Sequence, residues 1–359
     1  GGGAASAASA AGAGPGGEYA LTGHKWFCSA PMSDAFLVLA QAPGGLSCFL
    51  LPRVLPDGAR NGLVLQRLKD KLGNRANASS EIELRSALAT MVGEEGRGVR
   101  TIIEMVAHTR LDCVVGTSAG LRQAVAQAIH HAGHRRAFGR LLADQPLMTA
   151  VLADLAVESE AATVLMARLA RAYDGASTGD PHEVAFRRLA TAVGKYWVCK
   201  RQPLAVAEAL ECLGGNGYVE DSGLPRLFRE SPLNGIWEGS GNVICLDVLR
   251  TMEREPDSVA AFLAELDAAS GADRRLDAAT AELRHRLAGP DRSQAGARRL
   301  VEAMALALQG SILVRVAPPE VADAFCATRL AGDWGRALGT LPAGSHVARL
   351  VERARPRVA

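Results

Sequence analysis

The stretch Ser80–Val115, SEIELRSALATMVGEEGRGVRTIIEMVAHTRLDCVV, changes its apolar rhythm partway along. It begins with a β-type run; from about Val99 the apolar residues recur at helical spacing, as Ile102, Ile103, Val106, Leu111, Val114 and Val115, then Leu121, Val125 and Ile129. Upstream, from Glu18 to about Arg97, come the short runs YALTGHKWFCS, AFLVLAQA, LSCFLLPR and GLVLQRL, punctuated by the turn sequences APGG and PDGARNG. This pattern predicts a compact antiparallel β domain over 18–98, a barrel or a sandwich. Downstream, helices are predicted at about 99–134, 145–173, 182–213 and 240–253, broken at RRAFGRLLADQP, GASTGDPH and GGNGYVEDSGLPR. Four long helices with short connections suit an up-and-down bundle over 99–253. The class is therefore α+β.

Residues 254–359 add helical stretches at about 257–288, 292–315 and 318–331 and an Arg-rich tail ending RARPRVA. They either cap the bundle or form a separate lobe. At the other end, residues 1–17, GGGAASAASAAGAGPGG, are of low complexity and read as a flexible lead-in.

The chain has 359 residues, enough for two or three domains, and its 48% hydrophobic and 22% charged residues are those of an ordinary globular protein. No apolar run approaches the ~20 residues of a membrane span, and the opening lacks a signal-peptide pattern, so the cytoplasm is the expected location. Seven cysteines stand singly with no C-x-x-C pair, which argues for reduced buried thiols and against a zinc ribbon or disulfide framework. A formal net charge of +2 gives no global reason to bind nucleic acid or a membrane surface. Of the 40 basic residues 35 are arginine, a bias read as compositional drift.

Three segments carry candidate chemistry. In IWEGSGN (236–242), Glu238 precedes a serine able to cap a helix beginning near Gly241. A carboxylate at such a junction can serve as a general base if a pocket tunes it; the plain alternative is a solvated surface glutamate. LGGNGY (213–218) follows a helical stretch and is an ordinary glycine turn, not a Rossmann fingerprint, because no strand precedes it. RRAFGR (135–140) places basic groups at a helix end, where either the helix dipole or an anion such as a pyrophosphate accounts for them. His130, His131 and His134 have no acidic or cysteine partner nearby, and no metal site is expected.

The strings GHKWFCSAPMSDAFLVLAQAPGGLSCFLLPR, LKDKLGNRANAS and IWEGSGNVICLDVLR, in this order and spacing, resemble the acyl-CoA dehydrogenase superfamily, and Tyr19 to about Arg250 resembles its AidB-like branch. The resemblance implies a middle β-barrel domain followed by a C-terminal four-helix bundle with extra C-terminal helices. FAD would lie between the β domain, the bundle and a neighbouring subunit. It implies a homo-oligomer, dimer or tetramer, acting on an acyl-CoA and passing electrons to a flavoprotein or another acceptor. Glu238 matches the family's base, which removes the α-proton of the thioester while the β-hydrogen leaves as hydride to the flavin. The family's alternative position for the base corresponds to Thr109, which leaves Glu238 as the candidate.

By the same resemblance Arg110 lies on the active-site side of its helix and Arg250 near the substrate channel. Phe27, Cys28 and Ser29 match the segment that meets the flavin. Arg135, Phe138 and Gln145 match the R-x-x-F-G loop and the glutamine after it. Gly214 and Gly215 match the glycine pair at the pyrophosphate, and Ser240, Gly241 and Asn242 sit beside the flavin after the base. The family's N-terminal helical domain is expected to be absent here, with Gly1 and Gly2 a remnant of a flavin-ring motif and Gly3 in its serine's place. Each lost hydrogen bond would weaken flavin binding by on the order of 1 kcal/mol. The AidB-like branch also implies double-stranded DNA as a partner of the C-terminal region. There, 15 arginines face 14 acidic residues, which is not the clustered positive surface that phosphate tracking needs.

Overall fold

The computed structural model describes residues 7–10, 14–289, 292–342 and 344–356, and the chain divides into two compact units, 1–108 and 109–359. The first holds β1 (Ala7–Ala10), β2 (Glu18–Cys28), β3 (Ala35–Ala42), β4 (Gly45–Pro52), β5 (Leu63–Leu68) and β6 (Ser80–Val92). Pairing runs β2-β1-β3-β4-β6 and returns from β6 to β2, so the sheet curls into a closed ring, with β5 on the first half of the β6 flank whose far end pairs with β4. All pairings are antiparallel except β1 with β3. The predicted barrel is the outcome.

The ring closes because alternate residues are apolar and meet inside: Tyr19, Leu21, Phe49, Leu51, Ile82, Leu84 and Met91 are buried together. Tyr19 and Phe49 stack edge to face with centroids 5.1 Å apart. One flank of β6 changes partner from β5 to β4, and buried Asn61 fills that gap. Its amide donates to the carbonyls of Pro52 and Leu88 and its oxygen accepts from Leu88 N, each at 2.8 Å. No backbone polar group at Leu88 is left without a partner.

The lead-in reading requires correction. Ala7–Ala10 form β1, in register with Tyr19–Thr22 of β2. Low complexity measures what a segment can bury; it does not prevent the backbone from joining a sheet, and β1 lies between β2 and β3. The rest of the lead-in before Gly14, Gly1 to Gly3 included, lies outside the described residues.

Helix α1 (Gly98–His134) bridges the division between the units, and the second unit continues with α2 (Pro146–Ser177), α3 (Pro181–Glu211), α4 (Gly215–Tyr218), α5 (Leu224–Glu230) and α6 (Gly241–Arg254). Between α1 and α2 lies a two-residue hairpin, β7 (Arg136–Ala137) with β8 (Arg140–Leu141). Proline opens α2 and α3, where its missing N–H costs nothing, and Asp180 caps α3 by accepting from His182 N and Glu183 N. The extension contributes α7 (Pro256–Asp267), α8 (Arg274–Ala288), α9 (Ala297–Val316), α10 (Pro319–Phe325) and α11 (Val347–Ala354).

Phe262, Leu266, Leu283, Leu300, Met304, Phe325, Leu350 and Val351 join one apolar cluster with Leu152, Leu165 and Phe186 of the bundle. The extension therefore caps the bundle and is not a separate lobe. Its predicted 257–288 helix is two helices, broken at Gly271 (φ +80°) and restarted by the Asp273 cap. The Arg-rich tail contains a helix, α11, because Leu350 and Val351 give it a buried face, while Arg353 pairs with Glu160 at 2.6 Å.

Several buried charges among the described residues of this unit are paired. Arg329 is bound by Asp154 and Glu158; Arg168 joins Glu183 (2.9 Å) to Glu265 (2.8 Å). Burial alone would raise the Glu158 pKa, but Arg329 and Arg201 hold it below the usual carboxylate range. All seven cysteines are free and buried, and no helix among the described residues is long and apolar enough to cross a membrane.

Candidate active site

Glu238 sits in the loop before α6 with φ +57°, a left-handed conformation that costs a residue with a Cβ about 1 kcal/mol or more. Its surroundings hold that conformation. Thr109 Oγ1 on α1 donates to Glu238 Oε2 at 2.7 Å, and from the next residue the Arg110 Nε donates to the Glu238 carbonyl oxygen at 3.1 Å. From α3, Lys195 Nζ donates to the carbonyls on either side, Trp237 at 2.8 Å and Gly239 at 2.6 Å. Three successive carbonyls, 237 to 239, are thus held by two buried cations on two helices.

The supports have supports. Arg110 NH1 donates to Asp247 Oδ2 on α6 at 2.6 Å, and Arg188 reaches both Asp247 oxygens at 3.4 Å. Burial would raise the Asp247 pKa, yet Arg188 and Arg110 hold it below the usual range, so it stays ionised and anchors both guanidinium groups. Trp237 Nε1 donates to Asn234 Oδ1, whose amide donates to Thr117 Oγ1, each at 2.9 Å. Lys195 is 1% exposed, and burial pulls its pKa below the usual lysine value.

Of the residues expected here, the structure brings together Glu238, Thr109 and Arg110. The Arg110 guanidinium is engaged behind the carboxylate, on its carbonyl and on Asp247. Arg250 is exposed in the interior of α6, which continues to Arg254. Ser240 is the residue before α6, but its side chain makes no capping bond; the backbone carbonyl alone receives Ile244 N at 3.0 Å. Asn242 Oδ1 accepts from Arg298 of α9 at 2.8 Å, which ties the loop-to-helix junction to the extension. Gly241 leaves room for Lys200, whose Cε would lie 2.9 Å from a Cβ there.

The second group of expected residues lies at the far end of α1. Arg135, with Gln123, His130 and His134, lines a groove of about 690 Å³ together with Leu213 and Asn216, which flank Gly214 and Gly215. The two segments that the resemblance assigned to one cofactor meet across this groove. Gly214 has φ +59° and ψ −142°, a conformation open to glycine, and a Cβ on either glycine would point into open space. The β7–β8 turn has positive φ at Phe138 (+51°) and Gly139 (+83°), as its tight two-residue loop requires. That loop pushes the Phe138 ring out to 96% exposure. Gln145 is engaged too: its Nε2 donates to Ala137 O at 3.2 Å and braces the hairpin. His130 and His134 stack with centroids 4.3 Å apart, and among the described residues no cluster of metal ligands occurs.

In the β unit, Phe27 (63% exposed) and Ser29 are exposed, while Cys28 points into the barrel core. Strand alternation puts the Cys28 thiol on the opposite face, so only its backbone remains on offer. Lys69 lies 3.1 Å from the centroid of the Trp26 ring and 4.7 Å from that of Phe27. Its charge is balanced by Glu81 at 2.7 Å.

Lys195, Asp247, Arg188 and Trp26 were not singled out from sequence. For Lys195 a signal existed: it is one of five lysines in the chain and sits within the apolar run LATAVGKYWVC. Asp247 and Arg188 look like solvated helix charges until the fold brings them together.

Residues 1–87 match the acyl-CoA dehydrogenase middle-domain model and residues 96–253 the C-terminal-domain model. AidB of Escherichia coli (strain K12) is 46% identical over 314 residues, covering 88% of this chain and 57% of that protein. The crystal structure of Caenorhabditis elegans ACDH-11 in complex with C11-CoA superposes with a TM-score of 0.82 at 30% identity, covering 89% of this chain and 60% of that one. An acyl-CoA dehydrogenase from Bacillus anthracis complexed with FAD, 18% identical with a TM-score of 0.72, shares the fold. The chain therefore spans less than two thirds of the length of AidB and of ACDH-11. With both domain models matched in order over a barrel and a bundle that carry their expected elements, the chain belongs to the acyl-CoA dehydrogenase family.

Proposed function

We propose that this chain carries the middle and C-terminal domains of an FAD-dependent oxidoreductase that introduces an α,β double bond into a short or branched acyl-CoA, with Glu238 as the base. The observation that carries this reading is the Glu238 carboxylate itself, held from Thr109 at one oxygen while two cations fix its backbone. Thr109 donates to Oε2 and orients the carboxylate, so that Oε1 would be the oxygen that takes the α-proton of the thioester.

The residues present fit the cofactor. Phe27 offers an exposed ring and Ser29 an exposed hydroxyl at the end of β2, and the Gly214–Gly215 turn leaves space where any side chain would intrude. Arg135 supplies a cation beside that turn for a pyrophosphate, and the exposed Phe138 ring would lie against the adenine half of FAD, supplied across a subunit boundary. Bound FAD would accept the β-hydrogen as hydride. The exposure of Phe138 supports a homo-oligomer, and seven free buried thiols support the cytoplasm. An electron-accepting flavoprotein or another acceptor completes the cycle.

A second reading, a flavoprotein that binds double-stranded DNA, has one observation in its favour. Arg274, Arg275, Arg286, Arg298, Arg299 and Arg329 line a cavity of about 950 Å³ at α8 and α9. Three of the six are already paired: Arg275 with Asp273 and Asp323, Arg286 with Glu282, and Arg329 with Asp154 and Glu158. This leaves few cations to follow phosphates, so DNA ranks second. Incubation with FAD, removal of the excess and anaerobic addition of butyryl-CoA separates the two. Bleaching of the flavin band supports the dehydrogenase; an unbleached flavoprotein whose retention on duplex DNA falls steeply with salt supports the second.

A further inference from the structure

The three carbonyls around Glu238 point to a residue beyond the base and its hydroxyl partner. We propose that Lys195 is a positioning residue: its ammonium, by binding the carbonyls of Trp237 and Gly239 together, holds Glu238 in the left-handed conformation that aims its carboxylate. The proposal rests on the reading of Glu238 as the base.

An ammonium taken out of water is costly unless charge and hydrogen bonds compensate, so a lysine that only fills space would be replaced by an apolar chain at no loss. Lys195 is almost fully buried on α3 in an apolar stretch, and its two bonds at 2.8 and 2.6 Å both go to the loop that carries Glu238. Gripping residues 237 and 239 leaves the peptide between them little freedom, and Arg110 at 3.1 Å from the Glu238 carbonyl fixes the middle of the same segment. The consecutive left-handed values, +57° at Glu238 and +109° at Gly239, are the conformation that this grip maintains. Because α3 and α1 are long helices, the loop is referenced to two rigid elements. Thr109 then meets Glu238 Oε2 without the loop having to search for it.

The test uses the FAD-loaded chain with Lys195→Met and Lys195→Gln. Hydrogen–deuterium exchange of the 236–242 amides reads the loop directly and needs no turnover. In Lys195→Met these amides are expected to exchange about tenfold faster or more, with the amides of α2 unchanged. Anaerobic reduction by butyryl-CoA is expected to slow by about 100-fold, with the half-saturating concentration within about threefold of the parent. Lys195→Gln, which keeps donors without the charge, is expected to fall between parent and Lys195→Met in both readouts, and it decides the question if Lys195→Met does not fold. Exchange and reduction equal to the parent in the folded variants would overturn the proposal. If the parent itself is not reduced by butyryl-CoA, the reading of Glu238 as base fails, and the exchange comparison alone still decides the grip on the loop.

Discussion

Replacing Arg110 by methionine removes the 2.6 Å bond to Asp247 and the 3.1 Å bond to the Glu238 carbonyl, and leaves Asp247 buried. Breaking a buried ion pair by deleting one partner costs about 3–5 kcal/mol. The lower end applies here, because Arg188 remains within 3.4 Å of both Asp247 oxygens and keeps the charge partly compensated. For a unit of this size each 1 kcal/mol moves the melting temperature by about 2–4 °C, so Arg110→Met should melt about 6–12 °C lower. The assay is thermal unfolding followed by far-ultraviolet circular dichroism, completed as a double-mutant cycle with Asp247→Asn. Once Asp247 is neutral, the loss of Arg110 strands no charge, and the pair should show about 1–3 kcal/mol of coupling. A fall of less than about 2 °C for Arg110→Met, or additivity within about 0.5 kcal/mol, would refute the electrostatic account of this support.

Asp247 and Glu158 are both held below the usual carboxylate range by arginines, so their contribution to stability is present above about pH 4 and disappears as the pH falls through their folded pKa values. Urea titrations between pH 6 and 3 should show that Glu158→Gln flattens this loss; an unchanged slope would contradict the assignment. Gly214→Ala should cost about 1–3 kcal/mol from its positive φ and weaken FAD retention more than stability alone explains, measured by flavin absorbance after gel filtration. Phe138→Ala should leave the melting temperature of the dilute protein unchanged or higher while shifting the sedimentation coefficient toward the monomer. An unchanged oligomer would count against Phe138 as a contact between chains.

An antiparallel β domain was legible because strand runs and turns alternate cleanly from Glu18 onward, though they left barrel and sandwich open, and the bundle because its helices carry apolar stripes bounded by proline and glycine. The strand Ala7–Ala10 was not, since Ala and Ser repeats carry no pattern of burial; its place is dictated by the open edge of β2. The break inside 257–288 was hidden for a related reason: Gly271 is one glycine among 38, and only the packing of both flanking helices on one core shows that it ends a helix.

At the site, Glu238 and its neighbours stand in a contiguous string and could be read. Lys195, Arg188 and Asp247 act across helices, and their partners are set by how α1, α3 and α6 lie together. Cys28 shows what matching a string does not give: strand alternation turns the side chain of the middle residue of Phe27, Cys28 and Ser29 into the core.

The most direct test of the central claim compares the parent chain and Glu238→Gln, both loaded with FAD, during anaerobic titration with butyryl-CoA. Glutamine preserves the size of the side chain and its contact with Thr109 but cannot take the α-proton at Oε1. The parent is expected to bleach, and Glu238→Gln to bind FAD equally and stay yellow, with a reduction rate lower by a factor of about 100 or more. Bleaching of Glu238→Gln at the parental rate would show that another group removes the proton and would contradict the account.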